Sequence, residues 1–136
     1  MDMRKPEKKQ VKRKVLQAPA EKPEENPLIR RLKSKSLTKR LVYENTMEAF
    51  QQLKSIASAY AEQYNPKAKS IHKDITIEYT DKGEYEAQLK VAGDLLLFTM
   101  HTNVFEFPRD HVMMKSSTIK EDPLRSYCGV IFIHNF

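Results

Sequence analysis

Apolar residues recur at two different periods along this chain. Met47, Phe50, Leu53, Ala57, Tyr60, Ala61 and Tyr64 recur at spacings of three and four, with Tyr60 and Ala61 side by side. That spacing predicts an amphipathic helix over 46–64. Asn45, with Glu48 three positions on, fits a capping box at its start. Asn65-Pro66 predicts its end, because proline disfavours helical geometry in the residue before it. Beyond this point the period falls to two. Ile75, Ile77 and Tyr79 alternate with Asp74, Thr76 and Glu78, and Tyr85, Ala87, Leu89 and Val91 alternate with Glu86, Gln88 and Lys90. Asp81-Lys82-Gly83-Glu84 lies between the two runs as a hairpin turn, with Gly83 where positive φ is expected.

The remaining strands are read from denser apolar runs. Leu95 to Met100 is apolar on both faces and predicts an interior strand. Val104-Phe105-Glu106-Phe107 is a further strand stopped by Pro108, and Arg109 to Pro123 is expected to be a long loop. Tyr127 to Phe136 reads as one last strand, also interior, with Cys128, Val130 and Phe132 on one face and Gly129, Ile131 and Ile133 on the other. The expected fold class is α+β: one main helix packed on a mostly antiparallel four- to five-stranded sheet, preceded by a disordered basic tail. The architecture is similar to a cystatin-like or helix-grip roll, a comparison that carries no function. The sequence stops inside an apolar strand. Either that strand is paired at its end or the natural domain is longer.

Upstream of the main helix, Asn26-Pro27 supplies an N-cap and a first-turn proline. A short basic helix over 27–37 follows, with Leu28, Ile29 and Leu32 on one side. Residues 1–26 have few apolar positions and no aromatic, too little to offset the entropy of ordering them, so they are expected to be disordered. The organisation is thus a basic tail over 1–42 and a single α+β domain over 43–136. Charge follows the same division. The first forty residues hold fourteen Lys and Arg against five Asp and Glu, while the rest of the chain holds ten against thirteen.

Met100-His101-Thr102-Asn103-Val104-Phe105-Glu106-Phe107, followed by Cys128-Gly129-Val130-Ile131-Phe132-Ile133-His134-Asn135-Phe136, resembles a family of uncharacterised bacterial proteins. The resemblance covers roughly 45–136. It implies a bacterial, cytoplasmic setting and brings no activity, cofactor or site.

The candidate chemistry begins with the basic residues. Lys8, Lys9, Lys12, Arg13 and Lys14 form one cluster, and Arg30, Arg31, Lys33, Lys35, Lys39 and Arg40 form a second. Such clusters bind phosphate-rich polymers by releasing counterions, without sequence preference. The arm has no aromatic residue to stack on bases, so it would contact phosphates rather than read sequence. A second candidate is a polar pocket formed by His101, Asn103, Arg109, Asp110 and His111, in which two imidazoles and a carboxylate could hold a metal or move a proton. No spacing there matches a known catalytic or metal-binding device, so no cofactor and no metal are expected. Cys128, in an apolar strand, should behave as a small hydrophobe. With one cysteine, no apolar leader and no apolar run of bilayer length, a cytoplasmic location is expected. The leading expectation is a non-enzymatic interaction domain whose arm contacts nucleic acid or a ribonucleoprotein. The alternatives are a small-ligand-binding or enzymatic pocket near His101 and His111, and a structural subunit that dimerises through a strand edge.

Overall fold

The computed structural model describes residues 26–136. One helix, α1, runs unbroken from Pro27 to Ile71, a length of about 68 Å at 1.5 Å per residue. It starts where the sequence places a start: the Asn26 side chain accepts the Leu28 N–H at 2.9 Å and Pro27 occupies the first turn. The break expected at Asn45 is absent, as is the stop at Pro66. The reason is a stripe that reaches beyond both signals. Thr38, Val42, Phe50, Lys54, Ala57, Ala61 and Ala68 are buried, and half-buried Thr46 and Asn65 fill its gaps. A lysine and two threonines within it conceal its length from an apolar count. An interior proline removes one helix hydrogen bond and crowds the preceding turn, but two tertiary contacts hold the helix past it. The Asn65 Oδ1 accepts the Ile77 N–H at 3.0 Å, and Ala68 is buried in the core.

Three antiparallel strands follow: β1 (Ile77–Gly83), β2 (Glu86–Val91) and β3 (Asp94–Met100). The first turn falls at Glu84-Tyr85, slightly later than the sequence predicts, with Gly83 at φ 132°. The second uses Ala92-Gly93, where Ala92 takes φ 53°. The register aligns Tyr79 with Leu89 and Ala87 with Phe98. These residues share the face on which Phe50, Ala57, Ala61 and Ala68 of α1 are buried. Alanine on both surfaces lets helix and sheet approach closely, and Phe50 and Phe98 fill the space between. Among the described residues, no helix is long and apolar enough to cross a membrane.

After β3 the chain leaves the sheet and returns to it. β4 (Phe105–Glu106) pairs with β5 (Tyr127–Cys128) as a separate two-stranded piece. The expected loop over 109–123 is instead three short helical segments. Val112–Lys115 and Pro123–Ser126 are 3-10 turns, and between them Ser117–Glu121 forms α2. Each opens on a side chain that accepts a free backbone N–H: His111 from Met113, Ser116 from Ile119, and Asp122 from Leu124. Asp122-Pro123 has the residue types of a helix start, an N-cap followed by a first-turn proline. Ile119 is the buried anchor of this excursion.

The last strand is also two strands rather than one. Gly129-Val130 separates β5 from β6 (Ile131–Asn135), which joins β3 and completes the order β1-β2-β3-β6. β3 is therefore interior, as expected, but β6 is an edge strand. Gly129 is where the chain changes sheet, and it lies hard against α1. A Cβ there would stand 2.0 Å from the Thr46 Oγ1.

The opposite edge, β1, is tied to the helix by a buried cation. The Lys54 Nζ donates to the Asp81 Oδ1 at 3.0 Å and to the Gly83 carbonyl, and lies 5.4 Å from the centre of the Phe50 ring. The Gly83 N–H and then the Lys54 ammonium hold the Asp81 carboxyl below its ordinary value. A depressed carboxyl contributes stability above its unfolded-state pKa of about 4 and loses it as pH falls through the lower folded value. Lys54→Met should cost about 1–2 kcal/mol at neutral pH, since hydrogen bonds to a charged group are lost. The gap between variant and wild type in thermal melts should narrow from pH 6 to pH 3. It should not close, because the bond to the Gly83 carbonyl does not titrate.

Candidate anion-binding site

The basic residues of the second cluster lie on the first half of α1. The first buried residue of the helix is Thr38, and most of 27–37 is exposed. Arg31, Lys33, Lys35, Lys39 and Arg40 are exposed, and Arg30 is half-buried. Arg40 is steadied by Glu44, one turn on, with its Nε donating to the Oε1 at 3.4 Å. The first turn of the helix contains no acidic residue. Cations near a helix N-terminus oppose its dipole, at a typical cost of 0.3–1 kcal/mol each. The first cluster, Lys8, Lys9, Lys12, Arg13 and Lys14, lies outside the described residues, as does the expected disorder of the tail. The helix also crosses the 42–43 boundary between tail and domain without a break.

At its inner end this basic segment meets the loop after β3. Lys39, Arg40 and Tyr43 form one wall of an open cleft of about 500 Å³, and Thr102, Asn103, Val104 and Phe105 form the other. Two local features shape the cleft. The Tyr43 hydroxyl is hydrogen-bonded to the Tyr85 hydroxyl, which fixes the helix wall against the β1–β2 turn. That bond, with burial, pushes the Tyr43 phenol up to about 12, so it remains un-ionised through the physiological range. On the loop wall, the His101 Nδ1 accepts the Asn103 N–H at 3.1 Å and closes the turn that carries Thr102 and Asn103. The His101 N–H is bonded to the Val130 carbonyl at 2.9 Å, and its ring lies edge-on to Phe105 at 4.9 Å. Two cations, a hydroxyl and an amide around an open volume suit a phosphate-sized anion held in water.

Of the five residues of the sequence-predicted polar pocket, only Asn103 lines this cleft. His101 supports it from behind. His111 caps the 3-10 turn at Val112 through its Nδ1 and stacks on Phe107 at 4.8 Å. Arg109 and Asp110 are exposed in the turn before it, closed by the His111 N–H to the Pro108 carbonyl. Both imidazoles thus spend Nδ1 on a local backbone amide. No group of three or more His, Cys, Asp or Glu is placed to hold a metal among the described residues. Sequence reasoning missed Tyr43, Thr102, Val104 and Phe105, because the cleft joins segments far apart in the chain and neither half carries a motif.

Cys128 is half-buried in β5, and burial pushes its thiol up. It should react with an aromatic disulfide reagent at least about tenfold more slowly in the native protein than after denaturation, because the thiolate is the attacking species. Stopped-flow absorbance in buffer and in guanidinium measures this directly.

No protein-family model, no curated protein and no solved structure matches the chain.

Proposed function

We propose that this protein is a non-enzymatic interaction domain that binds nucleic acid, alone or in a ribonucleoprotein, through the phosphate backbone. The basic first half of α1 and the cleft at its inner end form the contact. The observation that carries this reading is the row Arg31, Lys35, Lys39 and Arg40, exposed on one rigid helix and ending in a cleft with polar groups on its far wall. Arg31, Lys35 and Lys39 follow one another at i,i+4, where like charges repel, so helix stability does not account for them. A helix also holds the charges at fixed spacing, which reduces the ordering cost of contacting a regular array of phosphates. The tail cluster Lys8, Lys9, Lys12, Arg13 and Lys14 extends the same chemistry along the polymer. A cytoplasmic setting fits this role.

Fluorescence anisotropy with a labelled mixed-sequence RNA or DNA tests the proposal. Affinity should fall linearly with salt on logarithmic axes, by roughly two to three orders of magnitude between 50 and 200 mM for about five phosphate contacts. Sequence should matter little. Binding that is indifferent to salt, or no binding at 50 mM, overturns the reading.

A further inference from the structure

The two edges of the four-stranded sheet are built in opposite ways. β1 is guarded against further pairing, above all at its two ends. Its Ile77 N–H is taken by the Asn65 side chain and its Gly83 carbonyl by the Lys54 ammonium. It carries Glu78, Asp81 and Lys82, and its register shifts between Asp81 and Gly83. Charge, a bulge and capped backbone groups are the devices that keep a strand edge from adding another strand.

β6 has none of these. The stretch Ile131-Phe132-Ile133-His134-Asn135-Phe136 contains no Lys, Arg, Asp, Glu or Pro. Its pairing with β3 also fixes which backbone groups stay open. Phe136 and Leu95 exchange both hydrogen bonds, at 2.8 and 3.1 Å, and the Val130 carbonyl accepts the His101 N–H. In an antiparallel ladder the groups alternate, so Val130, Phe132, His134 and Phe136 face β3. Ile131, Ile133 and Asn135 direct their N–H and C=O groups outward along the edge, where β6 has no strand partner among the described residues. The side chains add an apolar surface. α1 packs mainly on β1, with fewer contacts to β2, β3 and β5. On the helix side of the sheet, Ile133 is 60% exposed. On the other side, Phe132, His134 and Phe136 form a row of rings about 6 Å apart.

From this edge we infer that two copies of the chain associate through β6, antiparallel about a two-fold axis at Ile133, into one continuous sheet. The register follows from which groups are open. Ile133 exchanges hydrogen bonds with its own copy, and Ile131 exchanges them with the partner's Asn135. The two Ile133 side chains then pack together on the helix side. On the opposite side Phe132 falls beside the partner's His134, so the ring row continues across the axis. A second copy is favoured over another chain because the edge is self-complementary in this register and brings no charge against itself. The association ends at two, since among the described residues each copy has one unguarded edge and the β1 edge is guarded by charge, a bulge and its capped ends. This inference is independent of nucleic-acid binding.

Light scattering after size exclusion, with amide hydrogen exchange by NMR, tests it on the full chain. At about 100 µM the particle should have twice the chain mass. The Ile131, Ile133 and Asn135 amides should be protected, and that protection should fade on dilution. The Phe132, His134 and Phe136 amides should stay protected at every concentration, because they bond to β3. Asn135→Pro removes one outward N–H from an exposed edge position and Ile133→Lys places a charge on the axis. Either should give a monomer with native circular dichroism. Glu78→Gln, on the capped edge, should leave the dimer intact. A monomeric wild type at 100 µM overturns the inference, and so does a dimer in which the three outward amides exchange freely. If both variants fail to fold, the alternating protection in the wild type decides alone.

Discussion

Gly129→Ala should lower stability by about 3 kcal/mol, the upper end of what overpacking costs. In a domain of this size that is a fall of roughly 10–20 °C in melting temperature. The added methyl would lie 2.0 Å from the Thr46 Oγ1, 2.6 Å from its Cγ2 and 2.7 Å from its Cβ. None of these atoms can swing aside easily. Thr46 is β-branched and therefore stiff on a helix. Its hydroxyl also donates to the Val42 carbonyl one turn back, at 2.7 Å. Relief would need helix and strand to move apart, and Gly129 is where the chain passes from the β4–β5 pair to the main sheet. The rest of the core would feel that movement. A second substitution separates this clash from loss of backbone freedom. In the Gly129→Ala background, Thr46→Ala removes Oγ1 and Cγ2 but leaves the Cβ contact, so it should recover only part of the loss. Thr46→Gly removes the contact altogether and should recover more, less the cost of about 1 kcal/mol for glycine within a helix. Thermal melts followed by circular dichroism measure all four proteins. If Gly129→Ala melts within 3 °C of wild type, the close approach of Thr46 is wrong.

Replacing Arg31, Lys35, Lys39 and Arg40 together by Gln should abolish most nucleic-acid binding without unfolding the domain. All four side chains are exposed, and the buried residues nearest them, Thr38 and Val42, are untouched. Removing four cations should make the salt dependence shallower by about 3–4 on logarithmic axes for a duplex, at roughly 0.9 per phosphate contact. Near 50 mM salt the affinity should fall by two orders of magnitude or more. The same four removals relieve the i,i+4 repulsion among Arg31, Lys35 and Lys39 and lose only the exposed Arg40–Glu44 pair, so stability should be unchanged or slightly higher. A binding defect together with an intact or raised melting temperature distinguishes a contact surface from a structural one. If affinity and slope survive the substitution, the helix row is not the contact. Removing residues 1–40 would be a poorer test, because it also deletes Thr38, which the fold buries.

Much of the fold was legible because it is local. Asn26-Pro27 starts α1, the alternation in 75–91 gives the first hairpin, and the apolar density of 95–100 marks the one strand with neighbours on both sides that the sequence also placed there. The errors share one cause. At Asn45, Pro66 and Gly129 a local preference was outweighed, or given its meaning, by a contact with a distant residue. Burial of Thr38 and Val42 carries the helix through Asn45. Asn65 binding Ile77, with Ala68 in the core, carries it through Pro66. The apolar run that reads as one strand is split at Gly129, where the backbone comes so close to Thr46 that no side chain fits. The candidate site divides similarly. The basic residues could be read from composition, whereas the cleft could not: His101 became a support for the Asn103 turn and His111 a helix cap.

The class of the fold, the order of its principal elements and the end of the chain that carries the positive charge can all be read along the chain. These are consequences of periodicity, capping and composition, all fixed within a few residues. Tertiary structure alone decided that the basic segment is the rigid extension of the core helix, that its inner end faces Thr102 and Asn103 across a cleft, and that β6 is an open edge while β1 is guarded. Each of these depends on burial or hydrogen bonding between residues far apart in the chain, and no local pattern encodes that pairing.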